Sequence, residues 1–289
     1  MGRPEVEGPG MSEEEFRLLR ELVQAHCGVF FRDDTRYLLE RRLAPRLQAL
    51  GLASFREYHR FLRYDPARAA ELEEAVDAIT TNETYFHREP LQLGAFSAEV
   101  LPELARTLAP QRRLRILSAG CSTGEEAYTL AVLVRESGRF EGWDVEIFGA
   151  DISRRCLAAA RAGAYGDHAF RSPEAERMRR WFRLRGGKWV VDDAIRRMVR
   201  FGRENLLDPD ALASVARLDA VFCRNVMIYF DLASRRRVLA KLHDRLREGG
   251  WLLLGHSESL LNVTADFEIV HLTRDLVYRK PLRAGEGAP

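Results

Sequence analysis

The stretch Leu117–Tyr128, LSAGCSTGEEAY, decides how the chain is read. An apolar run, LRILSAG, ends in small residues, and a helical pattern, GEEAYTLAVLVRES, begins near Gly124. The pattern is a strand, a tight loop and a helix. Glycines at 120 and 124 let the backbone approach a bound ligand closely. The loop lacks the G-x-G-x-x-G spacing. It also lacks the G-K-[ST] of a phosphate-binding loop, which disfavours nucleoside triphosphates. Asp151 ends the next strand, DVEIFGAD, where a carboxylate accepts from ribose hydroxyls. A helix N-cap acid is the bland alternative for the same residue. Together these features indicate a ribose-bearing ligand and leave a nicotinamide cofactor and S-adenosylmethionine both open.

Outward from this stretch, strands and helices alternate. RRCLAAARAG and SRRRVLAKLHDRLREGG have helical spacing; MVRFGRENLL, LDAVFCRNVMIYF and WLLLGHS read as strands with polar carboxyl ends. FEIVHLTRDLVYRK suits an antiparallel hairpin. Such alternation predicts an α/β fold, a mostly parallel sheet with helices on both faces and its ligand at the strands' carboxyl ends. WFRLRGGKWVVDD interrupts the rhythm with a hairpin signal, read as a β insertion over about 173–197. Upstream, SEEEFRLLRELVQAHCG opens on an N-cap serine and closes on glycine. Three more helical segments follow it, with Pro45 a possible kink in the second. The expected organisation is a disordered tail over 1–11, a helical domain over 12–80, a linker over 81–98 that contributes to the site, and the α/β domain over 99–289.

The chain has 289 residues, 46% hydrophobic and 30% charged, and a formal net charge of +2, so it can bury two cores and carries no charge excess that argues for nucleic acid. Cys27, Cys121, Cys156 and Cys223 show no C-x-x-C spacing, and no histidine cluster has ligand spacing, so no metal is expected. No apolar run reaches membrane-spanning length and no signal-peptide core follows Met1, so the expected location is cytoplasmic.

Polar residues concentrate where the strands end. In ENLLD, Asn205 suits either a turn or the edge of an adenine. In FCRNVMIYF, Arg224 and Asn225 stand at a strand's carboxyl end, where burial demands partners, and Tyr229 adds a polar handle on an aromatic ring. Arg36, Arg41, Arg42 and Arg46 share one helix, either as a solvated face or as a docking face for an acidic partner.

TNETYFHRE (81–89), SAGCSTGEEAY, GADIS, NLL, FCRNVMIYFD and LGHSE occur in this order. As a set they closely resemble the chemotaxis receptor glutamate O-methyltransferases, the CheR family, from about Ser12 to about Lys280. Ala127 departs from the family's frequent proline, at a helix N-terminal position of little consequence. The resemblance implies a Rossmann-like S-adenosylmethionine-dependent methyltransferase sheet with a small β insertion, preceded by an all-α domain. It implies methyl transfer to glutamates on chemoreceptor cytoplasmic helices, with S-adenosylhomocysteine as product. The implied cofactor residues are Asn82, Thr84, Arg88, Gly120, Glu126, Asp151, Asn205, Leu206, Arg224 and Asn225. Arg88 and Tyr229 are implied to face the methyl group; on the docking reading of their helix, Arg36, Arg41, Arg42 and Arg46 meet the receptor. TNETYFHRE is then part of the cofactor site. The short RGGKW loop leads us to expect no dependence on a receptor C-terminal pentapeptide, and a monomer is expected. The alternatives are a non-catalytic S-adenosylmethionine-binding signalling module, against which Arg88 and Tyr229 argue, and a methyltransferase acting on another protein.

Overall fold

A capping box starts the first helix. Ser12 accepts from the Glu15 N–H at 3.3 Å while the Glu15 carboxylate accepts from the Ser12 N–H at 2.8 Å. In the computed structural model, which describes residues 10–282, the chain forms two units. One comprises the described residues up to Thr81 together with Tyr229–Asp231; the other comprises Asn82–Ile228 and the described residues from Leu232 onward.

The first unit holds α1 (Glu13–Cys27), α2 (Arg36–Leu50), α3 (Phe55–Tyr64) and α4 (Arg68–Ile79). Each helix buries one stripe: Phe16, Leu19 and Val23; Leu39, Leu43 and Leu47; Phe55, Tyr58 and Leu62; Val76 and Ile79. Pro45 lies within α2, which remains one element. Of the expected tail, residues 1–9 lie outside the described residues. Its last residue, Met11, is buried, with its N–H donated to Glu40 at 3.0 Å. Tyr229–Asp231 joins this unit: the Phe30 N–H donates to the Tyr229 carbonyl at 2.8 Å, and Gln24 donates to Asp231 at 2.8 Å.

In the second unit, which starts at Asn82, helix begins at Pro90, inside the expected linker over 81–98. α5 (Pro90–Ala95) runs through a π-helical turn (Phe96–Val100) into α6 (Leu101–Thr107). Leu93, Phe96, Val100, Leu101 and Leu104 are buried in this unit's core, and Phe96 meets Phe222 edge-on at 4.9 Å. Then follow β1 (Arg113–Ala119), α7 (Glu125–Glu136), β2 (Asp144–Asp151), α8 (Arg154–Ala162), β3 (Ala164–Tyr165), α9 (Pro173–Met178), β4 (Phe182–Arg185), β5 (Lys188–Val191), α10 (Asp193–Arg196), β6 (Val199–Arg203), β7 (Leu218–Cys223), α11 (Leu232–Arg245), β8 (Leu246–Leu254), β9 (Glu268–His271) and β10 (Leu276–Arg279).

The main sheet has the order β6-β2-β1-β7-β8-β10-β9. From β6 to β8 neighbours run parallel, and β10 is antiparallel to both β8 and β9. From β1 the chain winds outward through β2 to β6, then restarts at β7 on the other side of β1. The order therefore reverses between β1 and β7, and a ligand crevice belongs at their carboxyl ends. Every residue of β7 is buried, as for a central strand covered on both faces.

The small sheet, β3-β5-β4, starts earlier than the expected 173–197. β3 at Ala164–Tyr165 pairs antiparallel with β5, and two residues carry no periodicity to read. The β4–β5 turn is two residues, Gly186 and Gly187, at φ 55° and 73°, as a tight hairpin requires. Among the described residues no helix is long and apolar enough to cross a membrane, and no three His, Cys, Asp or Glu side chains are grouped to hold a metal.

Candidate functional site

The loop after β1 is tied to the tip of β2. The N–H groups of Gly120 and Cys121 both donate to the Ala150 carbonyl, at 2.7 and 3.0 Å. Gly120 has φ 72°, and a Cβ there would lie 2.4 Å from a Val226 methyl, so only glycine lets the β1 and β7 loops close on each other. Asp151 is nearly buried. One oxygen accepts from the Ser122 N–H at 2.7 Å and the other from the Ser153 N–H at 2.8 Å. Ser153, not Asp151, caps α8 with its side chain. The carboxylate therefore joins the glycine loop to the turn after β2.

A buried ionic triad lies at the β1–β7 reversal. Arg224, with its side chain 2% exposed, places Nη1 3.1 Å from Glu126 and Nη2 3.1 Å from Glu89. Nη2 also donates to the Arg88 carbonyl at 2.5 Å. Glu126 accepts in addition from the Ser118 hydroxyl at 2.7 Å, and Glu89 meets His256 Nδ1 at 2.9 Å. The carboxylates titrate in opposite directions. Burial pushes Glu126 up against the pull of Arg224. Burial also pushes Glu89 up, but Arg224 and His256 outweigh it and hold it below its ordinary value. Two carboxylates on one guanidinium leave one negative charge in excess, and burying that excess is costly without a further cation. The Arg224 Nε is buried with no hydrogen-bond partner among the described residues. An ionisable carboxylate short of cation beside a guanidinium with a spare donor fits a zwitterionic amino-acid end. Asp151 beside the glycine loop fits a ribose. The donor set of this chain thus matches S-adenosylmethionine.

Asn82–Glu89 runs beside this triad. Phe86 is fully buried, stacked on Phe170 at 4.7 Å and edge-on to Tyr165 and Phe182 at 4.8 and 5.0 Å. Arg88 donates to the Glu83 carbonyl at 2.8 Å. Asn82 and Thr84 are half-buried and make no side-chain hydrogen bond among the described residues. Asn225, at φ 58°, and the residues after it are held by Glu258. Its carboxylate accepts from the N–H groups of Asn225 and Gly255 at 2.7 and 2.8 Å, and of Val226 and Ile228 at 3.0 and 3.2 Å. Sequence reasoning passed over Glu258, Glu89 and Phe86 as individual residues, although each stands inside a quoted motif.

Other expected residues sit differently. Asn205 closes a turn, accepting from the Leu207 N–H at 3.1 Å and donating to Asp208 at 2.8 Å, which is the turn geometry expected as one of its two readings. Leu206 is buried and its carbonyl accepts from Lys241 at 3.0 Å. Tyr229 is half-buried and groups with the helical unit. Of the four arginines on α2, Arg46 pairs with Glu71 through two bonds of 2.6 and 2.9 Å, and Arg42 donates to Thr81 and the Ile79 carbonyl. Arg36 and Arg41 are exposed. All four cysteines are buried, and burial pushes the Cys27 thiol up to about 11.

Comparison with known proteins agrees with this geometry. Residues 14–80 match the CheR methyltransferase all-alpha domain, and residues 82–276 match the CheR methyltransferase SAM binding domain. Chemotaxis protein methyltransferase 1 of Pseudomonas aeruginosa is 37% identical, over 92% of this chain and 97% of that one. Chemotaxis protein methyltransferase 2 of Vibrio cholerae is 34% identical over 94% of each. With both domains matched, and a glycine loop, a buried carboxylate and an ionic triad at the strand reversal, the chain belongs to the CheR family of S-adenosylmethionine-dependent methyltransferases.

Proposed function

We propose that this chain methylates glutamate side chains on the cytoplasmic helices of a chemoreceptor, giving methyl esters for sensory adaptation. The observation that carries the reading is the Glu89–Arg224–Glu126 triad beside the Gly120 loop at the β1–β7 reversal. Asn82, Thr84, Arg88, Gly120, Glu126, Asp151, Asn205, Leu206, Arg224 and Asn225 hold the cofactor in this reading. When bound, S-adenosylmethionine supplies a methyl group already electrophilic on its sulfonium, and leaves as S-adenosylhomocysteine.

A glutamate side chain is ionised at neutral pH, so no residue of this chain has to remove a proton. The work of the chain is orientation, which can lower a barrier by about 7–11 kcal/mol. Arg88 fixes the geometry of the reacting groups; a stronger pairing with the attacking oxygen would stabilise the ground state and slow the transfer. Tyr229 is assigned to the same step from the motif FCRNVMIYF. Arg36 and Arg41, both exposed on α2, are the arginines best placed to dock an acidic receptor surface. The two-residue Gly186–Gly187 turn supports a chain that needs no receptor C-terminal pentapeptide, and the reading is completed by a monomer working in the cytoplasm.

The test combines calorimetric binding of S-adenosylmethionine with turnover on a receptor cytoplasmic fragment. Arg88→Ala is expected to lower turnover about 100-fold, the size of an orientation effect. Wild-type turnover in that variant sinks the assignment of Arg88. Binding of a receptor C-terminal peptide to the β4–β5 hairpin sinks pentapeptide independence.

A further inference from the structure

We infer that Glu89 is a positioning residue: through Arg224 it locks the Asn82–Glu89 strap in the one conformation that presents Arg88 for transfer. The inference rests on the function proposed above. The first observation is backbone strain. His87 and Glu89, on either side of Arg88, both have left-handed backbones, at φ 57° and 61°. Residues with a Cβ avoid this region, and they persist in it only when the surroundings over-determine them, most often at functional sites.

The surroundings of this strap are specific. Phe86 is pinned in the aromatic cluster, and the His87 N–H donates to Thr129 at 3.2 Å. Arg224 then engages both sides of the Arg88–Glu89 peptide, donating to the Arg88 carbonyl at 2.5 Å and forming an ion pair at 3.1 Å with a Glu89 oxygen that accepts no hydrogen bond among the described residues. The groups facing that carboxylate are Arg224, His256 and, across the guanidinium, Glu126.

The second observation is where the Glu89 side chain goes. Glu89 occupies the N-cap position of α5, where side-chain capping is mainly the work of Ser, Thr, Asp and Asn. Its side chain makes no capping bond. The carboxylate, 14% exposed, is instead directed at Arg224 and His256. The Glu89 side chain is committed to the ion pair and not to a capping bond.

The test uses Glu89→Gln and Glu89→Gly, each alone and with Arg88→Ala, in the full chain. Glycine accepts the left-handed backbone without strain, which offsets part of the stability lost with the Arg224 pairing, so Glu89→Gly is expected to melt no lower than Glu89→Gln. Both variants are nevertheless expected to lose about 10- to 100-fold in kcat on a receptor fragment, with cofactor KM moved less than about threefold. In the Arg88→Ala background the Glu89→Gln loss is expected to shrink to less than about twofold, because coupled residues are not additive. Amide hydrogen exchange over residues 83–89 of the cofactor-free chain should quicken about 10-fold in Glu89→Gln if the lock is real. Wild-type kcat in either single variant, an equal loss with and without Arg88, or unchanged exchange overturns the inference. If the wild-type chain methylates no receptor fragment, the proposed function falls, and the exchange measurement still decides the lock.

Discussion

Replacing Glu258 by glutamine tests whether one carboxylate holds the loop that carries Arg224 and Asn225. Four backbone N–H groups converge on it, from Asn225, Val226, Ile228 and Gly255, at 2.7–3.2 Å. A glutamine keeps one acceptor oxygen, and its amide nitrogen then faces two N–H donors. Two donors lose their acceptor, at roughly 1–3 kcal/mol each. Glu258 is half-buried and Ile228 is exposed, so water relieves part of this, and we expect about 2–3 kcal/mol in all. For a domain of this size that lowers the unfolding midpoint by about 4–12 °C. Thermal unfolding followed by tryptophan fluorescence measures it, with Ser257→Ala, at an exposed neighbour, as control. Calorimetry on the same samples should show weaker cofactor binding, since Arg224 and Asn225 lose their fixed backbone. A Glu258→Gln protein that melts within about a degree of wild type and binds cofactor as tightly refutes the reasoning.

The geometry fixes further outcomes. Gly120→Ala places a methyl 2.4 Å from Val226 on a backbone at φ 72°. It should cost about 2 kcal/mol or more and weaken cofactor binding, and adding Val226→Ala should restore only the steric part, read by paired unfolding curves. Arg46→Ala strips the buried Glu71 of its bidentate partner and leaves it the Tyr58 hydroxyl at 2.7 Å. It should cost about 3–5 kcal/mol in thermal unfolding, whereas charge reversal at Arg36 and Arg41 should leave unfolding unchanged and slow receptor methylation in a salt-dependent way. Burial holds the Glu126 carboxyl above its ordinary value, so it gains its proton early as pH falls, and only the ionised form attracts a cation. Cofactor affinity should therefore decline on acidification from above the usual carboxylate range, and Glu126→Gln should flatten that decline in calorimetric titrations. Glu89 has the opposite sign: its carboxyl is held low, so the stability it contributes is present above the ordinary value and is lost as pH falls through the depressed one.

The parallel strands were legible because each pairs an apolar run with a polar carboxyl end, and their reversal between β1 and β7 places the glycine loop beside Arg224. The helix Pro90–Thr107 was not legible. Pro90, Gly94 and a π-helical turn break the 3.6-residue period that marks a helix. β3 is too short to show alternation at all. At the site, the residue types that meet a ligand were visible as motifs, but the residues that hold them were not. Glu258 works on backbone N–H groups about thirty residues away, and Arg224 grips the Arg88 carbonyl 136 residues away. Neither relation leaves a local pattern. The α2 arginines show the converse: four similar side chains in one helix divide into two engaged within their own unit and two exposed, because only Arg46 and Arg42 lie against α4 and the chain that follows it.

The most direct test of the central claim is transfer of labelled methyl from S-adenosylmethionine to a purified chemoreceptor cytoplasmic fragment, followed by mild base. Label on glutamate that base releases as methanol is the predicted result. Tight cofactor binding with no label on the fragment, or label that resists base, contradicts the account.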